Sequence, residues 1–146
     1  ALDLNIAIRS KGQTITPDTQ IYLADTIGEM PTWYQHTKLV IMAGSFVEHG
    51  GQNIIEPASF AKPVITGPHT KNFSQDIAYF LKHDAIIQVN SINELNTKLL
   101  PPASTPCSKT EHLNTQCVCH LDLFGERAKQ LLTNSSDIVE RYLKVL

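Results

Sequence analysis

Three short stretches carry residue types suited to chemistry. The first is Asp25-Thr26-Ile27-Gly28-Glu29-Met30, where a carboxylate follows a glycine. The second is Gly44-Ser45, followed by Gly50-Gly51-Gln52-Asn53 and then Glu56. A glycine-rich turn that feeds a helix N-terminus offers free backbone N–H groups and a favourable dipole to an anion. Glycine also lets a phosphate approach the main chain closely. A carboxylate one turn further in, at Glu56, can accept two hydrogen bonds, as from the vicinal hydroxyls of a ribose. The third stretch is Gly67-Pro68-His69-Thr70-Lys71-Asn72. His69 can donate to a phosphate or carboxylate, and Lys71 can add positive charge. Each feature also has a plainer reading. The glycines can form an ordinary tight turn, Glu56 and Glu29 can be surface glutamates near helix starts, His69 can satisfy a loop carbonyl, and Lys71 can be solvated. The spacing is neither a Walker A loop nor a GxGxxG fingerprint. Ser45, within Ala43-Gly44-Ser45-Phe46-Val47, is not in a G-x-S-x-G elbow.

These stretches follow short apolar runs that read as strands. Ile21–Ala24, Lys38–Ala43, Pro63–Thr66 and Ile86–Val89 are the candidates. Continuous apolar runs of this kind suit parallel strands buried on both faces. Helical segments alternate with them. One starts near Glu29 with Pro31 in its first turn, and carries Trp33 and Tyr34 as packing residues. Another covers Asn53 to Ala61, with Asn53 as a candidate N-cap. Phe73 to His83 places Phe73, Ile77, Phe80 and Leu81 on one face. Ser91 and Glu94 make a capping box for a helix that Pro101 and Pro102 stop. Helical periodicity resumes at Leu121, with Asn134-Ser135-Ser136 as a point where it can kink or split.

The alternation predicts an α/β fold with a doubly wound parallel sheet. Ligands in such sheets bind beyond the carboxyl ends of the strands. That rule selects the loops Asp25–Glu29, Gly44–Asn53 and Gly67–Asn72, the three stretches singled out above. With 146 residues, 42% hydrophobic and 18% charged, the chain fits one compact domain. A net charge of -2 argues against disorder and against a nucleic-acid partner held by charge. No apolar run approaches the ~20 residues that a membrane helix needs. The chain opens directly into Leu2–Ile8, as if mid-element, which predicts a piece of a longer protein.

Residues 101–120 form a Pro/Ser/Thr-rich interruption, read as a surface insertion. It holds Cys107, Cys117 and Cys119 with His112 and His120. Three cysteines with a one-residue gap make a poor disulfide framework and fit a reducing setting. A C-x-C pair lacks the usual zinc spacing, so an incidental insertion is favoured over a metal site. No metal and no cofactor are expected.

Taken in order, Asp25–Met30, Gly44–Val47, Gly50–Ala58, Lys62–Val64 and Gly67–Phe73 resemble the second half of 3-deoxy-D-manno-octulosonic acid (Kdo) transferases. The likeness runs strongly from about Tyr22 to Leu95 and weakly again from Gly125 to Leu146. It implies the Rossmann-like C-terminal half of a two-domain, GT-B type glycosyltransferase. That half would hold the donor CMP-Kdo, or CMP. Gly28, Glu29 and Met30 would lie against the cytidine, partly through main-chain groups. Asn53, Ile54, Ile55 and Glu56 would hold ribose and phosphate, with Glu56 on the ribose. Ser45, Gly50, Gly51 and His69 match positions near the donor. The family commonly reads Gly-Gly-His-Asn where this chain has Gln52, which removes any acid–base role at that position.

The acceptor half of the family would bind the lipid A precursor, carry the general base and include the membrane anchor. The resemblance therefore implies no catalytic base in this chain, and inactivity of this soluble piece on its own. The whole enzyme would act in lipopolysaccharide biosynthesis at the cytoplasmic face of the inner membrane. From the residues alone, two other classes stay open. One is a non-catalytic α/β binding or regulatory module of flavodoxin-like topology, although Asp25 stands almost alone where a receiver-type domain needs an acidic cluster. The other is a zinc-binding interaction module built on the late cysteines.

Overall fold

The computed structural model describes residues 3–99 and 121–135. The chain divides into two compact units between Trp33 and Tyr34. The 101–120 insertion with its cysteines, and the periodicity beyond Ser135, lie outside the described residues.

In the first unit, β1 (Ile6–Ile8) pairs in parallel with β2 (Ile21–Leu23), with Ala7 opposite Tyr22. β2 falls on the expected apolar run, whereas β1 forms where the sequence shows no strand boundary. Of its three residues only Ala7 is buried. Side-chain amides complete its ends. Gln13 Oε1 accepts from Ile8 N–H at 2.8 Å, and Gln20 Oε1 accepts from Asn5 N–H at 3.1 Å. α1 (Met30–His36) starts as Pro31 suggests. Its first-turn residue Trp33 packs against Tyr22, with ring centroids 5.3 Å apart and planes tilted by 53°.

The second unit is a three-stranded parallel sheet in the order β3 (Val40–Met42), β4 (Val64–Thr66), β5 (Ile87–Gln88). Val40 faces Val64 and Ile65 faces Ile87 across the ladders. Three helices connect and follow these strands before the insertion: α2 (Ile55–Ser59), α3 (Ser74–Lys82) and α4 (Ile92–Leu99). α5 (Asp122–Asn134) comes after it. Side chains alternate across a strand, so neighbours in sequence serve opposite faces. Val64 and Ile86 join one core with Ile54, Ala58, Phe80 and Ala128, while Ile65 and Ile87 join another with Val89, Leu95 and Leu121. The central strand is buried throughout. Helices therefore cover both faces of a parallel sheet, the α/β arrangement expected from the alternating segments.

Two local details differ from expectation. α2 is five residues long, not the full Asn53–Ala61 stretch. It starts late because Asn53 Oδ1 accepts from Ile55 N–H at 2.9 Å, an Asx-type turn ahead of the helix. It ends early because Ala61 turns left-handed at φ 55°. The expected capping box at α4 is also modified. Glu94 N–H donates to Ser91 Oγ at 3.2 Å, as the motif requires. The Glu94 carboxylate, however, reaches past Ser91 to accept from Asn90 N–H at 2.8 Å.

Candidate functional site

β3 and β4 are neighbours, so the loops that leave their carboxyl ends lie side by side. Ser45 joins them. Its side chain is fully buried, donates through Oγ to the Met42 carbonyl, and accepts from Gly67 N–H at 2.6 Å. His69 N–H then donates to the Ser45 carbonyl at 2.9 Å. The Ser45 hydroxyl is thus committed to the scaffold, and its influence on a ligand runs through the turn it locks. A Cβ at Gly67 would sit 2.8 Å from the Ser45 carbonyl carbon, so the close approach needs glycine.

Gly50 and Gly51 have φ of 90° and 86°, a region that side chains rarely tolerate. The same two glycines press against the segment after β4. Asn72 N–H donates to the Gly50 carbonyl at 2.9 Å. A Cβ at Gly51 would lie 3.1 Å from both the His69 carbonyl oxygen and Thr70 Cα. Gln52 folds back over the loop, where its Oε1 accepts from Gly44 N–H at 3.3 Å. Position 52 therefore closes the loop through an acceptor.

Asn53, Ile54, Ile55 and Glu56 follow at the start of α2. Ile54 and Ile55 are buried in the core, so they can meet a ligand only through the backbone. Five residues sum to a small dipole, so anion binding here rests on exposed amides more than on a helix field. Glu56 is half-buried, and its carboxylate has no hydrogen-bond or ion-pair partner among the described residues. An acceptor with four lone-pair sites, partly withdrawn from water and unpaired, is poised for external donors.

The two loops also border a cavity of about 570 Å³, lined by Glu48, Gly50, Pro68, His69, Thr70, Lys71 and Ser74. This is within the usual size range of small-molecule sites. Gly50 and His69 are among the residues expected near a ligand, and Glu48, Thr70 and Lys71 fall within the two loops selected at the strand ends; Ser74, at the start of α3, lies just beyond them.

Gly28, Glu29 and Met30 belong to the first unit, apart in the chain from the residues above. Gly28 is exposed at φ 88°, and Met30 is 46% exposed. The Glu29 carboxylate is engaged. It accepts two bonds from Arg9, from Nε at 3.0 Å and from Nη2 at 2.6 Å, and a further bond from the Thr26 hydroxyl. Hydrogen bonding to Arg9 first, and to Thr26 next, holds its pKa down to about 2. The charged fork likewise raises the Arg9 pKa. What Glu29 can offer a base is its main chain. Arg9 was missed by sequence reasoning, as nothing local signals a partner 20 positions away. Asp25 is engaged too. It accepts from the Ser10 hydroxyl at 2.6 Å and from Ser10 N–H at 2.9 Å, and these bonds lower its pKa.

Among the described residues, no group of three or more His, Cys, Asp or Glu side chains is placed to hold a metal ion. Nor is any described helix long and apolar enough to cross a membrane.

Comparison with known proteins places these features in context. No protein-family model matches the chain. The chain is similar to 3-deoxy-D-manno-octulosonic acid transferases. It is 37% identical to that of Haemophilus influenzae over 83 residues, which is 57% of this chain and 19% of the relative. It is 28% identical to that of Rickettsia felis over 144 residues, 97% of this chain and 29% of the relative. Among solved structures, it resembles the C-terminal CMP-Kdo binding domain of WaaA from Acinetobacter baumannii. That match has a TM-score of 0.66 at 28% identity and covers 88% of this chain and 62% of the other. The chain thus spans less than a third of the length of these curated relatives. The likeness to Kdo transferases, and to their donor-binding half in particular, agrees with the motifs read from the sequence.

Proposed function

We propose that this chain is the donor-binding part of a glycosyltransferase that moves Kdo from CMP-Kdo to a lipid A precursor, in lipopolysaccharide biosynthesis. The single observation that carries the site is the Glu56 carboxylate. It is half-buried and unpartnered among the described residues, and it follows a loop whose glycines pack tightly against the segment after β4. The likeness to a CMP-Kdo binding domain supports a cytidine nucleotide as the ligand.

In this assignment Glu56 accepts from the ribose hydroxyls. Amides of the loop and of the first turn of α2 take the phosphate and stabilise it as CMP leaves. Asn53 sets the entry of that turn, Gly50 and Gly51 let the loop close against the segment after β4, and Ser45 and His69 hold the neighbouring loop in place. On the resemblance alone, Gly28, Met30 and the Glu29 main chain, which belong to the first unit, are assigned to the cytosine. The general base that deprotonates the acceptor hydroxyl lies outside this chain, in the half that binds the lipid A precursor. That half also provides the attachment to the cytoplasmic face of the inner membrane.

Isothermal titration with CMP tests the site. Glu56→Ala is expected to weaken CMP binding by roughly 1.5–3 kcal/mol, about 10- to 150-fold, as expected for loss of a charged acceptor. Equal affinities for the two proteins would remove Glu56 from the site. UMP is expected to bind less well than CMP, because the groups near Gly28 and Met30 read the exocyclic amine. Indifference to the base would leave a generic phosphate pocket.

A further inference from the structure

The turn that follows β2 has nothing apolar to hold its shape. Residues 23–28 are exposed, Ile27 fully so, and Gly28 sits at φ 88° with open space where a Cβ would stand. Such a turn samples many backbone conformations unless polar contacts fix it. Both of its ends are fixed, and from one neighbouring segment. β1 and β2 run parallel with Ile8 opposite Leu23, so the residues that leave their carboxyl ends emerge side by side. Ser10 takes the near end. Its N–H and its hydroxyl donate to separate oxygens of Asp25, at 2.9 and 2.6 Å. Arg9 takes the far end. Its Nη2 donates to Glu29 Oε1 at 2.6 Å and its Nε to Glu29 Oε2 at 3.0 Å. This two-point contact sets the plane of the carboxylate as well as its position. The Thr26 hydroxyl donates to Glu29 Oε2 from within the turn.

An isolated surface ion pair contributes little to stability. Donors from Arg9, Ser10 and Thr26 on two carboxylates do something else, for they fix the backbone between those carboxylates. The Glu29 carbonyl also accepts from Thr32 N–H at 3.0 Å and Trp33 N–H at 3.3 Å, so the start of α1 is tied to the same residue. A main chain that meets a ligand binds best when it is already in its binding shape, since ordering it on association costs affinity.

We propose that Arg9 is a positioning residue for base recognition. Its two-point grip on Glu29, with Ser10 holding Asp25, keeps the Gly28–Met30 main chain in the shape that meets the base. Arg9 acts through Glu29 and touches no part of the ligand. The proposal rests on the assignment of Gly28–Met30 to the cytosine made above.

Titration of the 146-residue chain with CMP and UMP, and with ribose 5-phosphate by competition, tests it. Measurements are made where Trp33 emission is native, so that loss of stability in the first unit does not enter. Arg9→Ala should weaken CMP roughly three- to tenfold, the worth of a hydrogen bond to the base. It should leave ribose 5-phosphate unchanged, so the preference for CMP over UMP collapses. Glu29→Gln should do the same, and the double variant should be no worse than either single one, because both act on one contact. If Arg9→Ala lacks native emission, Arg9→Lys, which keeps the charge and loses the fork, gives the same reading. Additive losses, or an equal loss for ribose 5-phosphate, would mean that Arg9 touches the ligand itself, and the positioning role is wrong. A natively folded Arg9→Ala that keeps the preference for CMP would overturn the proposal and leave the base assignment standing. An unsubstituted chain that binds CMP and UMP equally would overturn the base assignment, and the proposal with it.

Discussion

At the scale of single residues, the two glutamates flagged for ligand contact prove to be chemically opposite. Glu56 is free among the described residues, whereas Glu29 is saturated by Arg9 and Thr26. The difference has a consequence in acid. The folded pKa of Glu29 lies near 2, below the ordinary glutamate range. A depressed folded pKa contributes stability that is fully present above the unfolded pKa, about 4.3, and lost as pH falls through the folded value. Asp25, lowered by Ser10, acts in the same direction. Glu29→Gln should therefore destabilise the first unit near neutral pH, with the difference from the unsubstituted protein shrinking between about pH 4 and about pH 2. Trp33 is the chain's single tryptophan and packs against Tyr22, so its fluorescence reports this unit directly. A gap between the two proteins that persisted unchanged to about pH 2 would show that the Glu29 charge is not its source.

At the scale of elements, Glu56 depends on where α2 sits, and α2 packs against α5. Gly125 makes that packing possible. A Cβ there would meet the Ala61 carbonyl oxygen, and would lie 2.7 Å from the Ala61 carbonyl carbon and 2.8 Å from that of Lys62. Alanine is favoured over glycine inside a helix by about 1 kcal/mol. The clash is with backbone, which no rotamer change relieves, and Ala61 is already held at φ 55°. Overpacking should dominate, so Gly125→Ala is expected to destabilise by about 1–3 kcal/mol in chemical denaturation. It should also lower CMP affinity through α2. A neutral or stabilising result would mean that α5 can move away from Ala61 at little cost. This contact also shows where sequence reading ran out. β4 and α3 were legible because an apolar run and 3.6-residue spacing report burial there directly, whereas β3 was legible from its apolar run although only Met42 of its three residues is buried. The end of α2 was not, since alanine carries no local preference for the left-handed region that Ala61 adopts. The Gly50-Gly51 stretch was legible as a loop, but its partner was not. The parallel register that sets Met42 beside Thr66 decides which segment those glycines press against.

At the scale of the whole molecule, binding and transfer are separable demands. Transfer of a sugar needs a donor held with its leaving phosphate stabilised, an acceptor hydroxyl placed in line, and a base for its proton. In the proposed assignment, the residues of this chain account for the first demand alone. Relatives in which all three would be met are several times longer than this chain, which spans 29% or less of those compared. The 146-residue chain is therefore expected to bind CMP yet form no Kdo-bearing product from CMP-Kdo and a lipid A precursor, with mass spectrometry of the lipid as the readout. Glu56→Ala in the full-length enzyme should reduce transfer, because the donor would be held less tightly. If the isolated chain did transfer Kdo, the acceptor-activating base would have to lie within these 146 residues, and the assignment of this chain to the donor half alone would fail.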